Sequence, residues 1–412
     1  MVKGSKFKPR MFPIGGTGDD AEIDRAQSMV PDVTLNSEKI KELGRVAAVG
    51  YIKKSPTIGY SLTQLENGSI EFWQKIANVT DKGGDSDVSG ITLSDFSTPY
   101  FDIAAYLTND DDVFAGTLYY PSLRVSGFSI SIGDPQANVE RSFDMVGEAA
   151  KILQGDNKYL IYQKHTAGSG SDNEITLDKL AVVSPDTALE YMLRVVRITS
   201  AGVVSELSKT DADYTEDATT VTIASITTAD TIKLWYTSAA APDTMFTAND
   251  SDAVAIAGDS VDIFLYIPGS GKPTSSDYIY RLQSASLEVA FDREDLFEIG
   301  NKNIVQRGVK TSTVSVSVGS IVESFTIEEV LRGEIADYGI IDVTKLTDSA
   351  TFILKVYDDN TKANFKYGLM ATGLSPTSLG GDASVDEYVK KDATLEGEDL
   401  TISANTDIIE IL

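Results

Sequence analysis

Apolar and polar positions alternate strictly in two segments that match one another. Between Thr57 and Leu62 the apolar side chains fall at Ile58, Tyr60 and Leu62, and between Thr313 and Val318 at Val314, Val316 and Val318. A period of two gives each segment one apolar and one polar face, the pattern of a half-buried strand. A matching stretch precedes each strand. Val33 to Arg45 aligns without a gap on Val289 to Asn301, with Val33 on Val289, Leu35 on Phe291, Glu38 on Glu294, Ile40 on Leu296 and Gly44 on Gly300. Both strands lead into a short helical pattern, Ile70 to Ile76 and Phe325 to Leu331, after a one-residue gap. Further on, Tyr100 to Leu107 precedes an acidic turn at Asn109 to Asp112, and Thr351 to Tyr357 precedes another at Asp358 to Asn360. Val125 to Phe128 matches Ala371 to Leu374, and Val146 to Glu148 matches Glu396 to Glu398. One β-rich unit with a single helix is therefore predicted twice, in the same order, and such a repeat constrains the fold more than any single element.

Around this repeat the chain divides as follows. Residues 1–29 show no strand or helix period and read as an N-terminal arm. The arm is basic at Lys3, Lys6, Lys8 and Arg10, then rich in glycine. It is either flexible before assembly or docked on an acidic neighbouring subunit. The first unit spans 30–165. Within it, Arg45 to Ile52 and Thr57 to Leu62 predict a long hairpin turning at Lys53 to Pro56. Later strands are predicted over Phe101 to Leu107, Val113 to Tyr119, Leu123 to Ile132 and Val139 to Met145. Residues 166–255 interrupt the repeat with short apolar runs, among them Leu189 to Ile198, Thr219 to Ala224 and Thr231 to Tyr236. Their spacing predicts an inserted Ig-like β-sandwich with Trp235 in its core. Residues 256–275, with the apolar run Val261 to Pro268, are an option for completing the first unit. The second unit spans 276–412 and ends in two predicted strands, Asp399 to Ser403 and Asp407 to Leu412. The fold class is mainly β: two tandem β-sandwich or barrel units, each with one short helix, plus the inserted domain.

Composition narrows the chemistry. A chain of 412 residues with 42% hydrophobic content supports packed cores in two or three domains. The 62 acidic and 35 basic residues give a net charge of −27, which repels nucleic acid and disfavours sequence-specific DNA binding. With no cysteine, disulfides, thiolate metal sites and cysteine catalysis are excluded. The one histidine, His165, precedes a Gly/Ser-rich run and reads as a surface loop residue; it has no companions for a triad or a metal cluster. No secretory signal pattern and no apolar run long enough to span a bilayer is present, so the chain reads as soluble.

The remaining clusters carry little. Asp110 to Asp112 and Asp358–Asp359 supply oxygen ligands of the kind calcium takes, without EF-hand spacing, and solvated turns explain them equally. Pro13 to Gly18 lacks the Lys-Ser/Thr ending of a phosphate loop. Carboxylates are plentiful, so a catalytic pair stays open, but no spacing marks one. The expectation is a protein that presents surfaces: not an enzyme, without cofactor or metal.

Ser286 to Gly300 with its earlier twin, and Val139 to Glu148 with its Val-Gly-Glu ending, resemble the tail tube (major tail) proteins of tailed bacterial and archaeal viruses. The resemblance covers most of 30–165 and 278–412 and is closest to the duplicated tube-domain type. It implies two tail-tube-like units per subunit and trimeric rings of pseudo-sixfold symmetry. These would stack into a tube whose strands pair across subunits. It further implies an acidic lumen through which viral DNA passes without sequence-specific binding. The partners implied are the protein itself and other tail proteins such as the tape measure and tail terminator, with no membrane. The place implied is the virion, after synthesis in the host cytoplasm. The hairpins Arg45 to Leu62 and Lys302 to Val318 would mediate subunit or ring contacts. That makes Arg45, Tyr51, Lys53, Lys54, Pro56, Tyr60, Lys302, Val305, Lys310 and Val316 the interface candidates. The chain departs from the pattern in carrying its insertion between the units and in lacking, in the second unit, a counterpart of the Asp81 to Asp95 loop. A baseplate or tail-completion ring protein of the same fold, or a cell-surface adhesive β-domain protein, are the alternatives.

Overall fold

The computed structural model describes residues 7–15, 21–23, 25–35, 37–40, 50–53, 56–79, 82–109, 113–147, 149–155, 159–168, 173–181, 192–242, 255–266, 282–296, 306–321, 349–382 and 389–410. Among these the fold is mainly β, as the alternation predicts. The first unit holds β1 (Phe7–Pro13), β2 (Ala26–Thr34), β3 (Thr57–Leu65), α1 (Glu71–Ala77), β4 (Ile91–Thr92), β5 (Phe101–Thr108), β6 (Phe114–Ile132), β7 (Glu140–Gly147) and β8 (Lys151–Leu153). The second holds β9 (Val261–Tyr266), β10 (Leu282–Leu296), β11 (Gln306–Ile321), β12 (Ala350–Tyr357), β13 (Phe365–Asp382), β14 (Lys390–Gly397), β15 (Asp399–Ser403) and α2 (Thr406–Glu410).

The two units repeat pair for pair. Lateral order is β1-β5-β6-β7-β3-β2 in the first and β9-β12-β13-β14-β11-β10 in the second. Val33 stands opposite Ile58 as Val289 stands opposite Val314, and a register irregularity follows Ala26 in one hairpin and Leu282 in the other. Ile103 faces Tyr120 as Phe352 faces Ala371. A bulge separates Val125 from Gly127 on β6 and Pro376 from Ser378 on β13. Bulges re-aim a strand at a fixed place, so their agreement is strong evidence of one architecture used twice. They also make Pro376 the counterpart of Val125, in place of the Ala371 suggested by the short Val/Ala-x-Gly match. The Gly147 and Gly397 match stays in step, opposite Ile58 and Val314 respectively.

Several elements differ from the sequence reading. In the first hairpin, Ser37–Ile40 pairs with Gly50–Lys53 and continues the β2–β3 ladder, so Lys53 lies in an arm opposite Ser37 and not in the turn. The Lys-Lys-Ser-Pro composition suggests a turn, but a proline also fits the edge or start of a strand. Inside the supposed arm, β1 pairs along its length with β5, from Phe7–Leu107 to Pro13–Phe101. Its neighbours Met11 and Phe12 are both buried, and a strand covered on two faces has no alternation to read. β9 pairs with β12 of the second unit and occupies there the place β1 has in the first. The two strands predicted over Val113 to Tyr119 and Leu123 to Ile132 are one, Phe114–Ile132, running through Pro121, with Ser122 at positive φ in a register shift against β5. The last predicted strand is the helix α2; Asn405 accepts the Asp407 N–H at 2.9 Å and caps it.

Helix α1 ends at Asn78, whose left-handed backbone terminates it. The helix buries Phe72, Trp73 and Ile76 against the sheet. The counterpart pattern at 325–331 lies outside the described residues. The inserted region forms one sheet of Tyr159–Thr166, Thr231–Ser238, Met192–Ile198 and Val204–Glu206, and another of Glu174–Thr176, Thr220–Ile223 and Tyr214–Glu216. Ile232, Leu234 and Tyr236 fill the space between these sheets. Trp235 points the other way, into a seam with Phe12, Tyr106 and Leu160, so it packs the insertion onto the first unit instead of filling the insertion's own core. His165 sits in a strand, opposite Ile232.

The same seam carries a polar clasp. Arg194 donates to Asp102 at 2.8 Å and to Glu206 at 2.7 Å, while Tyr119 Oη and the Ser122 N–H also donate to Asp102. Burial pushes the Asp102 carboxyl upward, opposed by Arg194, Tyr119 and Ser122. Lys233 is buried too, and donates to the Pro13 carbonyl at 2.8 Å.

Candidate assembly surface

The two units meet in one continuous ribbon, ordered β13-β14-β11-β10-β6-β7-β3-β2, with four strands from each unit in the same sequence. Alternation gives this ribbon two faces. Ile58, Tyr60, Phe143, Phe128, Leu287, Val289, Val314, Val316 and Leu395 lie on the buried face. The opposite face carries transverse rows of small polar and acidic side chains. One row runs Glu140, Ser131, Ser286, Ser317, Thr394 and Ser378; another runs Thr63, Ser142, Ser129, Glu288, Ser315 and Glu396. Hydroxyls bridge strands within them, Thr63 with Ser142 at 3.2 Å and Ser317 with Thr394 at 3.4 Å, and Ser61 donates to the Asp144 carboxylate. Short hydroxyl side chains with interspersed carboxylates make a low-relief surface, and carboxylates disfavour contact with a polyanion.

The junction inside the ribbon is the β6–β10 ladder, in which Phe128 faces Val289 and Ile130 faces Leu287. Gly127 permits the approach: a Cβ there would stand 2.9 Å from the Val289 carbonyl oxygen. Gly127→Val is therefore expected to lower stability by about 1–3 kcal/mol, as overpacking does, read from the urea midpoint against wild type.

Three further contacts tie the units together. Arg293 of the second unit donates to the Val125, Ser97 and Phe96 carbonyls of the first. Burial and the nearby Arg124 and Arg307 guanidiniums push it below the usual arginine range. Tyr367 of the second unit donates at 2.7 Å to Glu66 of the first, a buried carboxylate paired with the buried Arg141 at 3.2 Å. Burial and the Glu66 charge push the Tyr367 phenol upward. Finally β4 of the first unit pairs with β15 of the second, Ile91 opposite Ile402.

The candidate residues distribute unevenly. Tyr60 and Val316 lie on the core face; Tyr60 packs on Tyr120 at a ring separation of 5.0 Å, and burial raises its phenol. Lys310 is exposed on β11, and Pro56 is half-buried just before β3. Tyr51 and Lys53 belong to the Gly50–Lys53 strand. Arg45, Lys54, Lys302 and Val305 lie outside the described residues. On the same hairpins Val33 and Leu35, which are not among the interface candidates, are exposed. Their signal was present in the alignment with Val289 and Phe291, but a repeat shows which positions correspond, not which of the two is left uncovered.

Of the acidic turns, Asp110 to Asp112 lie outside the described residues. At the other, Asp358 accepts from Asn364 at 2.7 Å and Asp359 accepts the Thr361 N–H at 2.9 Å. Among the described residues no group of three or more His, Asp or Glu could hold a metal ion. No described helix is long and apolar enough to cross a membrane.

No family model matches the chain, and no curated protein matches it. Among solved structures, a chain in the cryo-EM structure of the anti-feeding prophage (AFP) baseplate, 6-fold symmetrised, is similar over 36% of this chain and 93% of that one. The TM-score is 0.28 and the identity 13%, and a likeness of that order carries no argument about function.

Proposed function

We propose that the chain is a structural subunit of a viral tail, building rings that stack into a tube through which DNA passes. The observation that carries this reading is the ribbon: two four-stranded halves of identical order, side by side, with one face lined mainly by serine, threonine, aspartate and glutamate. A tube wall needs a unit that repeats laterally and a face on which a polyanion slides without sticking. Both requirements agree with the resemblance of Ser286 to Gly300 and Val139 to Glu148 to tail tube proteins. With two units per chain, three chains supply the six positions of a pseudo-sixfold ring. The role is mechanical and non-enzymatic, the partners are further copies and other tail components such as the tape measure and terminator, and the place is the virion. Electron microscopy with mass photometry on the purified full chain tests this. Trimers that stack into hollow tubes are expected. A discrete ring that never elongates would move the protein to a baseplate or tail-completion role, and a monomer that stays monomeric with tail-initiation components added would remove the reading.

A further inference from the structure

The ribbon ends in two edges that no described residue covers, and each is the counterpart of an edge covered inside the chain. β10 lies against β6, whereas its counterpart β2 is the last strand of the ribbon. β6 takes β10 along Gly127 to Ile132. Its counterpart stretch on β13, Ser378 to Asp382, has β14 on one side and no strand on the other among the described residues. Burial follows the same division. Val33 is 46% exposed and Leu35 79%, where Val289 is 1% and Phe291 5%. Val33 and Leu35 both belong to the first unit, on the edge where their counterparts in the second unit carry a neighbour.

We propose that a second copy of this chain covers Val33 and Leu35, with β13 of one copy adding to β2 of the next in the register in which β6 adds to β10. This rests on the ring-forming reading above. Carried across the repeat, the internal junction sets Leu379 opposite Val33, Gly380 opposite Asp32, Gly381 opposite Pro31 and Asp382 opposite Val30. The first pair stands where Phe128 and Val289 stand, and the third where Ile130 and Leu287 stand. Gly380 and Gly381 leave this edge without Cβ atoms, giving the close approach that Gly127 gives within the chain; Ser378, in the place of Gly127, marks the end of the ladder. Pro31 lacks an N–H and suits a strand that is an edge in the free chain. The contact joins unlike edges, so it is head-to-tail and propagates until it closes, removing both exposed edges as it does so.

The absence of cysteine makes the register directly testable. Directly opposed residues have Cα atoms about 4.5–5.5 Å apart, within the span a disulfide bridges. The full chain carrying Val33→Cys and Leu379→Cys, oxidised after assembly, is expected to give a covalent ladder on a non-reducing gel that stops at the number of copies in a ring. The pair Val33→Cys and Gly381→Cys, two residues out of register, is expected to give none. Val33→Asp, at an exposed position, should keep the wild-type unfolding midpoint and lose assembly. Rings without the Val33–Leu379 cross-link would show that something else covers these edges, overturning the pairing while leaving the ring reading intact. Equal cross-linking in both pairs would overturn the register. A chain that forms neither rings nor cross-links would overturn both.

Discussion

Arg141→Met is expected to destabilise the protein by about 3–5 kcal/mol, the usual consequence of removing one partner from a buried ion pair. Arg141 and Glu66 are both buried; Arg141 reaches Glu66 Oε2 at 3.2 Å and lies over the Phe72 ring at 4.6 Å. Glu66 would keep the Asn67 and Gly68 N–H groups and the Tyr367 hydroxyl as donors, at 2.9, 2.7 and 2.7 Å, but not a countercharge. Because Tyr367 comes from the second unit, the loss should loosen the union of the units as well as the first unit itself. Urea unfolding checks this. The double variant Arg141→Met with Glu66→Gln should recover part of the loss, since it leaves no unpaired charge; a double variant no more stable than the single one would point to packing against Phe72 as the main contribution.

Trp73→Ala is expected to cost about 3–5 kcal/mol, the range for emptying a large aromatic site. Trp73 is fully buried and meets Phe128 at 5.1 Å and Phe143 at 5.2 Å between ring centroids, with Phe96 and Tyr367 at 6.4 Å. It is the point where α1 rests on strands of the first unit and touches the second. The chain has two tryptophans, so in this variant the emission of Trp235 reports the seam of the inserted domain alone. Unfolding followed at that signal should stay closer to wild type than unfolding followed by far-ultraviolet circular dichroism. Coincident shifts would mean that the insertion and the first unit unfold together.

Much of this architecture was legible because duplication wrote it twice. The correspondence of Val33 with Val289 and of Ile58 with Val314 follows from a gapless alignment plus a period of two; that Val33 pairs with Ile58 does not, because the Lys-Lys-Ser-Pro composition points to a turn at Lys53 to Pro56. The strand at Phe7–Pro13 was not legible, since a strand buried on both faces shows no alternation. The equivalence of Val125 with Pro376 was hidden by a bulge, which adds a residue that no sequence pattern marks. Asp407 to Leu412 reads as a strand because it alternates too little to distinguish a strand from the short helix Thr406–Glu410. On the candidate surface, Tyr60 and Val316 lie on the hairpins that the resemblance implies as contacts, yet they occupy the core-facing parity of those strands. Val33 and Leu35 share the core-facing parity and are exposed nonetheless, because the strand that would cover them is not adjacent within one chain.

The peptide connection between the two units has a kinetic consequence. The β6–β10 contact forms between segments of one molecule, at an effective concentration fixed by the tether and independent of how much protein is present. In any closed assembly of these units, every second joint is therefore already made when the chain folds, and only the alternate joints wait on diffusion. Such an assembly responds less steeply to protein concentration than one built from single units, and dilution acts on only half of its seams.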